Sequence, residues 1–207
     1  MRHGATPSRP TVDDVAGLIE RLNLAPCRLV GTSLGAFVAQ ELALARPELV
    51  SQAVLMATRG RTDTLRAALA RAEIDLLDVG IRLPDRYATV LRALISLSPR
   101  TLNDDAAMAD WIDVFELTNA AGPGRRAQME VSTLDDRLGA YRDIRVRCQV
   151  IAFADDLVTP PHLGREVADA IPGAGYELIA GCGHYGYLED PAMVNKAIVE
   201  FLTTEAH

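Results

Sequence analysis

The stretch Cys27-Arg28-Leu29-Val30-Gly31-Thr32-Ser33-Leu34-Gly35 decides how this chain folds. Cys27 to Val30 reads as a short buried strand, and Gly31 to Gly35 is a G-x-S-x-G pentapeptide. Ala36 to Arg46 follows with Phe37, Val38, Leu42 and Leu44 at helical spacing. A strand that turns into a helix through these five residues forms a nucleophile elbow, which lifts a serine hydroxyl above a parallel sheet. The serine of such a turn is strained. Glycine is expected two residues to either side because strand and helix approach too closely for a Cβ. An ordinary Gly/Ser turn has no need of both apolar flanks, so Ser33 is taken as a candidate nucleophile.

Working outward, Pro26 closes a helix-like segment in which Val15, Leu18, Ile19 and Leu22 make one apolar stripe. Thr11 reads as its N-cap, with Asp13 and Asp14 in the first turn, where the helix dipole favours negative charge. On the other side, Pro47 breaks the elbow helix and Ala53-Val54-Leu55-Met56-Ala57 reads as a second buried strand. Strand, helix and strand in so short a span make a βαβ unit with neighbouring parallel strands.

From Arg59 to Asp143 the pattern changes to helical intervals only. Leu65, Leu69, Ala72 and Leu76 form one stripe; Tyr87, Val90, Leu91, Leu94 and Ile95 a second; Met108, Trp111, Ile112 and Phe115 a third. Breaks fall at Gly80, Pro84, Pro99 and Gly122-Pro123-Gly124. Strand character returns at Cys148 to Phe153, followed by Asp155, Asp156 and Pro160-Pro161, then a helix from His162 to Ile171. A last strand, Tyr176 to Ile179, enters the loop Gly181-Cys182-Gly183-His184. Asp190 can cap a final helix with Pro191 at its first position and Met193, Val194, Ala197, Ile198 and Phe201 on its buried face. The predicted organisation is an α/β core over residues 1–58 and 144–207, with an all-helical cap over 59–143.

Composition narrows the function classes. With 207 residues, 49% hydrophobic and 24% charged, the chain can bury a core and is no disordered segment. A formal charge of −7 argues against nucleic acid and anionic membranes as partners. Cys27, Cys148 and Cys182 include no C-x-x-C pair, so they signal neither a disulfide framework nor zinc; buried thiols of a cytoplasmic protein are expected. His3, His162, His184 and His207 show no metal-ligand spacing, and no metal or organic cofactor is implied.

Acyl transfer through serine needs a hydroxyl, an imidazole to take its proton, and a carboxylate to orient the ring. In a parallel α/β sheet these groups must come from the carboxyl ends of strands. Ser33 follows the first readable strand, Asp155 or Asp156 the third, and His184 the fourth. Each alone is weak, since an Asp before Pro-Pro is ordinary turn chemistry. The order Ser, Asp, His is that of the G-x-S-x-G hydrolases.

On RLVGTSLGAFVAQELALARPELV, IAFADDLVTPPHLGREVADAIPGAGYELI and GCGHYGYLEDP, the chain resembles the α/β-hydrolase superfamily. The likeness is especially to its single-domain bacterial esterases, lactonases and cofactor-free haloperoxidase-like members. The resemblance implies Ser33 as nucleophile, His184 as general base and acid, and the N–H of Leu34 as an oxyanion donor. It also chooses Asp156 over Asp155, because the family's acid commonly stands four residues before the proline that ends its loop, here Pro160. Trp111, Phe115, Met108 and Met129 are candidate pocket walls on the cap, packing among cap helices being the plainer reading of all four.

The resemblance also implies strands upstream of the elbow strand, roughly 60 residues by ordinary domain sizes, and a second oxyanion donor from a His-Gly loop. His3-Gly4 does not fit that loop, since no apolar strand precedes it. An apolar edge on the Cys27–Val30 strand is therefore expected, covered by homodimerisation or by another segment. The expected function is a serine hydrolase for a small or medium ester, thioester or lactone, with a small acyl substrate as its partner. Perhydrolysis, C–C cleavage and transacylation use the same residues, and a non-catalytic binding protein is the alternative of another class.

Overall fold

A computed structural model of the protein describes residues 9–118 and 135–204. Four strands, β1 (Cys27–Thr32), β2 (Val50–Met56), β3 (Arg147–Phe153) and β4 (Gly175–Ile179), form one parallel sheet in the order β1-β2-β3-β4. All four expected strands are present, each longer than the apolar run that announced it. Thr32 stands opposite Met56, Met56 opposite Ile151, and Phe153 opposite Ile179, so the carboxyl ends share a rim. Bonds beyond the strands extend that rim: Ser33 N–H to the Met56 carbonyl, 3.0 Å, and Asp155 N–H to the Cys182 carbonyl, 2.9 Å.

The inner strands are apolar on both faces because both are covered. Ala53, Leu55, Cys148 and Val150 face a core shared with the helices α1 (Arg9–Arg21), α2 (Leu34–Ala45), α7 (Leu138–Tyr141) and α8 (Pro161–Ala170). Val54, Met56, Ile151 and Phe153 face Val194 and Ala197 of α10 (Pro191–Thr203). β1 is an outer strand of the described sheet, and Val30 on it is 48% exposed.

Two readings of the first helix need correction. Its described residues run from Arg9, so Thr11 lies inside it and Asp13 and Asp14 lie beyond its first turn. Pro10 tolerates an early helical position, where its missing N–H costs nothing. The buried face is Val12, Ala16 and Ile19, against α2, while Leu18 and Leu22 are exposed. At the other end of the chain, Asp190 caps α10 as expected, its carboxylate accepting from the Met193 amide at 3.1 Å.

Between β2 and β3 the described residues hold helices only: α3 (Thr64–Asp78), α4 (Asp85–Ser96), α5 (Pro99–Leu102), α6 (Asp105–Thr118) and α7. The predicted stripes of α3 and α4 are largely turned outward. Leu65, Tyr87, Val90, Leu91 and Leu94 are exposed, whereas small residues (Ala70, Thr89, Ala93 and Ser96) face inward. Close helix packing at α4 selects small side chains over large ones. The Gly122-Pro123-Gly124 break lies outside the described residues.

Candidate active site

The elbow is formed as its sequence requires. Ser33 has φ 53° and ψ −116°, a left-handed conformation that non-glycine residues seldom adopt. Here it aims the hydroxyl off the end of β1. A Cβ on Gly31 would lie 2.5 Å from the Gly35 carbonyl carbon and 2.7 Å from the Ala36 nitrogen, so only glycine fits. The expectation for Gly35 is overturned: a Cβ there meets nothing within 4 Å. The crowding is between β1 and the first turn of α2, and it falls on the strand side alone.

His184 follows β4 and reaches back across the rim. Its Nε2 lies 3.1 Å from Ser33 Oγ, and its Nδ1 lies 2.9 Å from Asp156 Oδ2. Of the two adjacent acids, the one on the ring is Asp156. Its side chain is 0% exposed, and that of His184 is 10% exposed. The carboxylate is held by its own loop. Oδ1 accepts from the amides of Val158 (2.7 Å) and Thr159 (2.8 Å), and Oδ2 accepts from the Thr159 hydroxyl at 2.7 Å. These bonds replace the water that a buried carboxylate loses.

With an acceptor fixed at Nδ1, the neutral ring carries its proton there and presents the Nε2 lone pair to the serine. Leu34 opens α2, and N–H groups of a helix's first turn lack intrahelical partners. Its amide therefore belongs to the positive end of the helix, beside the Ser33 hydroxyl. Together these groups can deprotonate a hydroxyl and receive negative charge on an attacked carbonyl oxygen. Burial pushes the nearby Cys182 thiol up to about 11, which keeps it protonated and removes it as a rival nucleophile.

The proposed pocket walls are placed differently from one another. Phe115 is 1% exposed and packs in a cluster with Ala93 and Leu97. Met108 and Trp111 lean on that cluster, half-buried. Met129 lies outside the described residues. Tyr185, which the sequence reading missed, joins this cluster to the site. Its ring is 5.7 Å from both Trp111 and Phe115 and meets His184 edge-on at 5.8 Å. Arg92 donates to the Tyr185 hydroxyl at 2.7 Å and lies 4.6 Å from the Phe115 ring centre. Thr159 was missed too, though Asp-x-x-Thr before a helix is a turn signature that points to it.

Residues 2–197 match the family described as Alpha/beta hydrolase family. The Mycobacterium tuberculosis protein named "Putative non-heme bromoperoxidase BpoC" is 50% identical over 194 residues, 93% of this chain and 74% of the relative. Its crystal structure superposes with a TM-score of 0.91, covering 97% of this chain and 75% of that one. The pimeloyl-[acyl-carrier protein] methyl ester esterase of Chromobacterium violaceum is 28% identical, with 99% of this chain and 82% of the relative covered. An enol-lactonase from Burkholderia xenovorans matches at TM-score 0.73 and 26% identity, over 97% of this chain and 74% of that one.

Proposed function

The chain belongs to the alpha/beta hydrolase family, and on that premise we propose that it is a serine hydrolase acting on a small or medium carboxylic ester, thioester or lactone. One observation carries the reading: the unbroken line from Asp156 Oδ2 through His184 to Ser33 Oγ, with contacts of 2.9 and 3.1 Å. Ser33 Oγ attacks the acyl carbonyl as Nε2 takes its proton, and Asp156 stabilises the imidazolium that forms. The Leu34 amide stabilises the oxyanion. The imidazolium then protonates the leaving alcohol or thiol as the acyl-enzyme forms; from an ester or thioester it departs, and from a lactone it stays on the acyl chain as a hydroxyl. Water, deprotonated by the same ring, releases the acid and restores Ser33.

An esterase and an enol-lactonase among the similar proteins support the ester and lactone classes. A second reading comes from the name of the 50% identical relative. Hydrogen peroxide can take the place of water on the acyl-enzyme, giving a peracid and free Ser33; the peracid then oxidises bromide. The two readings share every step up to the acyl-enzyme.

Turnover of p-nitrophenyl acetate, with and without peroxide and bromide, tests both. Hydrolysis lost in Ser33→Ala supports the first. Peracid formation that outruns hydrolysis favours the second. A folded chain with neither activity on a panel of esters and lactones returns the fold to a binding role.

A further inference from the structure

Glu189 stands five residues beyond His184, at the end of α9 (Gly186–Glu189), and its carboxylate has four donors. Oε2 accepts from the amide of Gly183, the residue before His184, at 2.6 Å. Oε1 accepts from the amide of Ser98 (2.9 Å), the hydroxyl of Ser98 (2.7 Å) and the hydroxyl of Thr101 (2.5 Å). Ser98 caps α5, at its junction with α4. One side chain thus ties the loop that carries the imidazole to the helices inserted between β2 and β3.

The loop also presses on that junction directly. A Cβ on Gly183 would lie 2.6 Å from the Ser96 carbonyl oxygen, 2.7 Å from the Leu97 carbonyl carbon and 2.8 Å from the Ser98 nitrogen. The Tyr185 amide points to the same Ser96 carbonyl at 3.4 Å, and Arg100 donates to the Glu189 carbonyl at 3.2 Å. No side chain fits at position 183.

The donor set demands a carboxylate. Two backbone N–H groups, of Gly183 and Ser98, face different oxygens, and neither can turn round to accept. The Ser98 and Thr101 hydroxyls could reorient, but a glutamine would still set an N–H against one backbone N–H. We propose that Glu189 is a positioning residue for His184: it holds the Gly183 amide and so couples the place of the ring over Ser33 to the seating of α4 and α5. This rests on the reading of Ser33, His184 and Asp156 as a catalytic set. Glu189 itself touches neither substrate nor reacting atoms.

The experiment compares wild type with Glu189→Ala, Glu189→Gln and Arg61→Ala, well below each melting temperature. Arg61→Ala removes a two-pronged bridge to Glu166, at 2.7 and 2.6 Å, far from the loop in sequence. The readouts are kcat and KM on p-nitrophenyl acetate and hydrogen exchange at the Gly183 amide. Misplaced catalytic groups lower kcat about tenfold to a hundredfold. Glu189→Ala is expected to show that loss at unchanged KM, with faster exchange at Gly183. Glu189→Gln loses less, and Arg61→Ala stays near wild type. Should Glu189→Ala not fold, Glu189→Gln carries the test. Wild-type kcat in a folded Glu189 variant, a loss confined to KM, or an equal loss in Arg61→Ala overturns the proposal. Failure of the hydrolase reading is distinguishable, since wild type itself then shows no turnover. Gly183 exchange unchanged in folded Glu189→Ala, which leaves that amide no carboxylate, refutes the tether independently.

Discussion

Asp156 offers His184 only one of its oxygens: Oδ2 lies 2.9 Å from Nδ1, while Oδ1 is held by the amides of Val158 and Thr159. An asparagine here has no freedom to choose its orientation. Its carbonyl must serve the two amides, which leaves its NH₂ facing the ring. The imidazole then carries its proton on Nε2, where it can no longer take one from Ser33. Asp156→Asn is expected to lower kcat about 10⁴-fold, the size of this tautomer effect in other Ser-His-Asp enzymes, with little change in melting temperature. Asp155→Asn, whose backbone amide is tied to the Cys182 carbonyl, should stay close to wild type in the same assay.

The two glycines of the elbow should answer oppositely to alanine. At Gly31 the new Cβ meets the backbone of Gly35 and Ala36, which cannot move without displacing Ser33. A loss of about 1–3 kcal/mol, the usual cost of overpacking, is expected together with a fall in activity. At Gly35 the space is open and the residue lies in the first turn of α2. Alanine there should stabilise by about 0.5–1 kcal/mol, because it has less backbone entropy to lose. Thermal melts of the two variants decide the matter.

Burial pushes the thiol of Cys148 up to about 12 and that of Cys182 up to about 11. At pH 8 both stay protonated, so iodoacetamide should label the half-buried Cys27 first and reach all three only in denaturant. A thiol whose value is raised by folding contributes stability below the ordinary value of about 8.5. That contribution is lost as pH rises towards the folded value. The denaturant midpoint should therefore fall between pH 8 and pH 10, as read by urea titration at each pH.

Local signals carried much of the fold and the site. The strand before Gly31 and the apolar turn after it are contiguous in the chain, so the strain of Ser33 could be read from five residues. The choice of Asp156 came from the family resemblance, which sets the acid four residues before the proline that ends its loop; in the structure that loop closes on the carboxylate before α8 begins. What escaped depends on contacts between distant segments. Phe115 has a helical period whether it faces a pocket or a core, and it is buried by residues distant in sequence, Ala93, Leu97 and Tyr185 among them. The apolar stripes of α3 and α4 do not mark the inward faces, because small residues (Ala70, Thr89, Ala93 and Ser96) do the inward packing there. The four donors on Glu189 come from residues 6 to 91 positions away, a convergence that no spacing rule expresses.

The central claim is that Ser33 is a nucleophile activated by His184. Exposure of the folded protein to a fluorophosphonate, followed by peptide mass spectrometry, tests it directly. The predicted result is one phosphonylated residue, Ser33, whose labelling rate collapses in His184→Ala. A well-folded chain that takes up no label at Ser33, or takes it up equally fast without the imidazole, contradicts it.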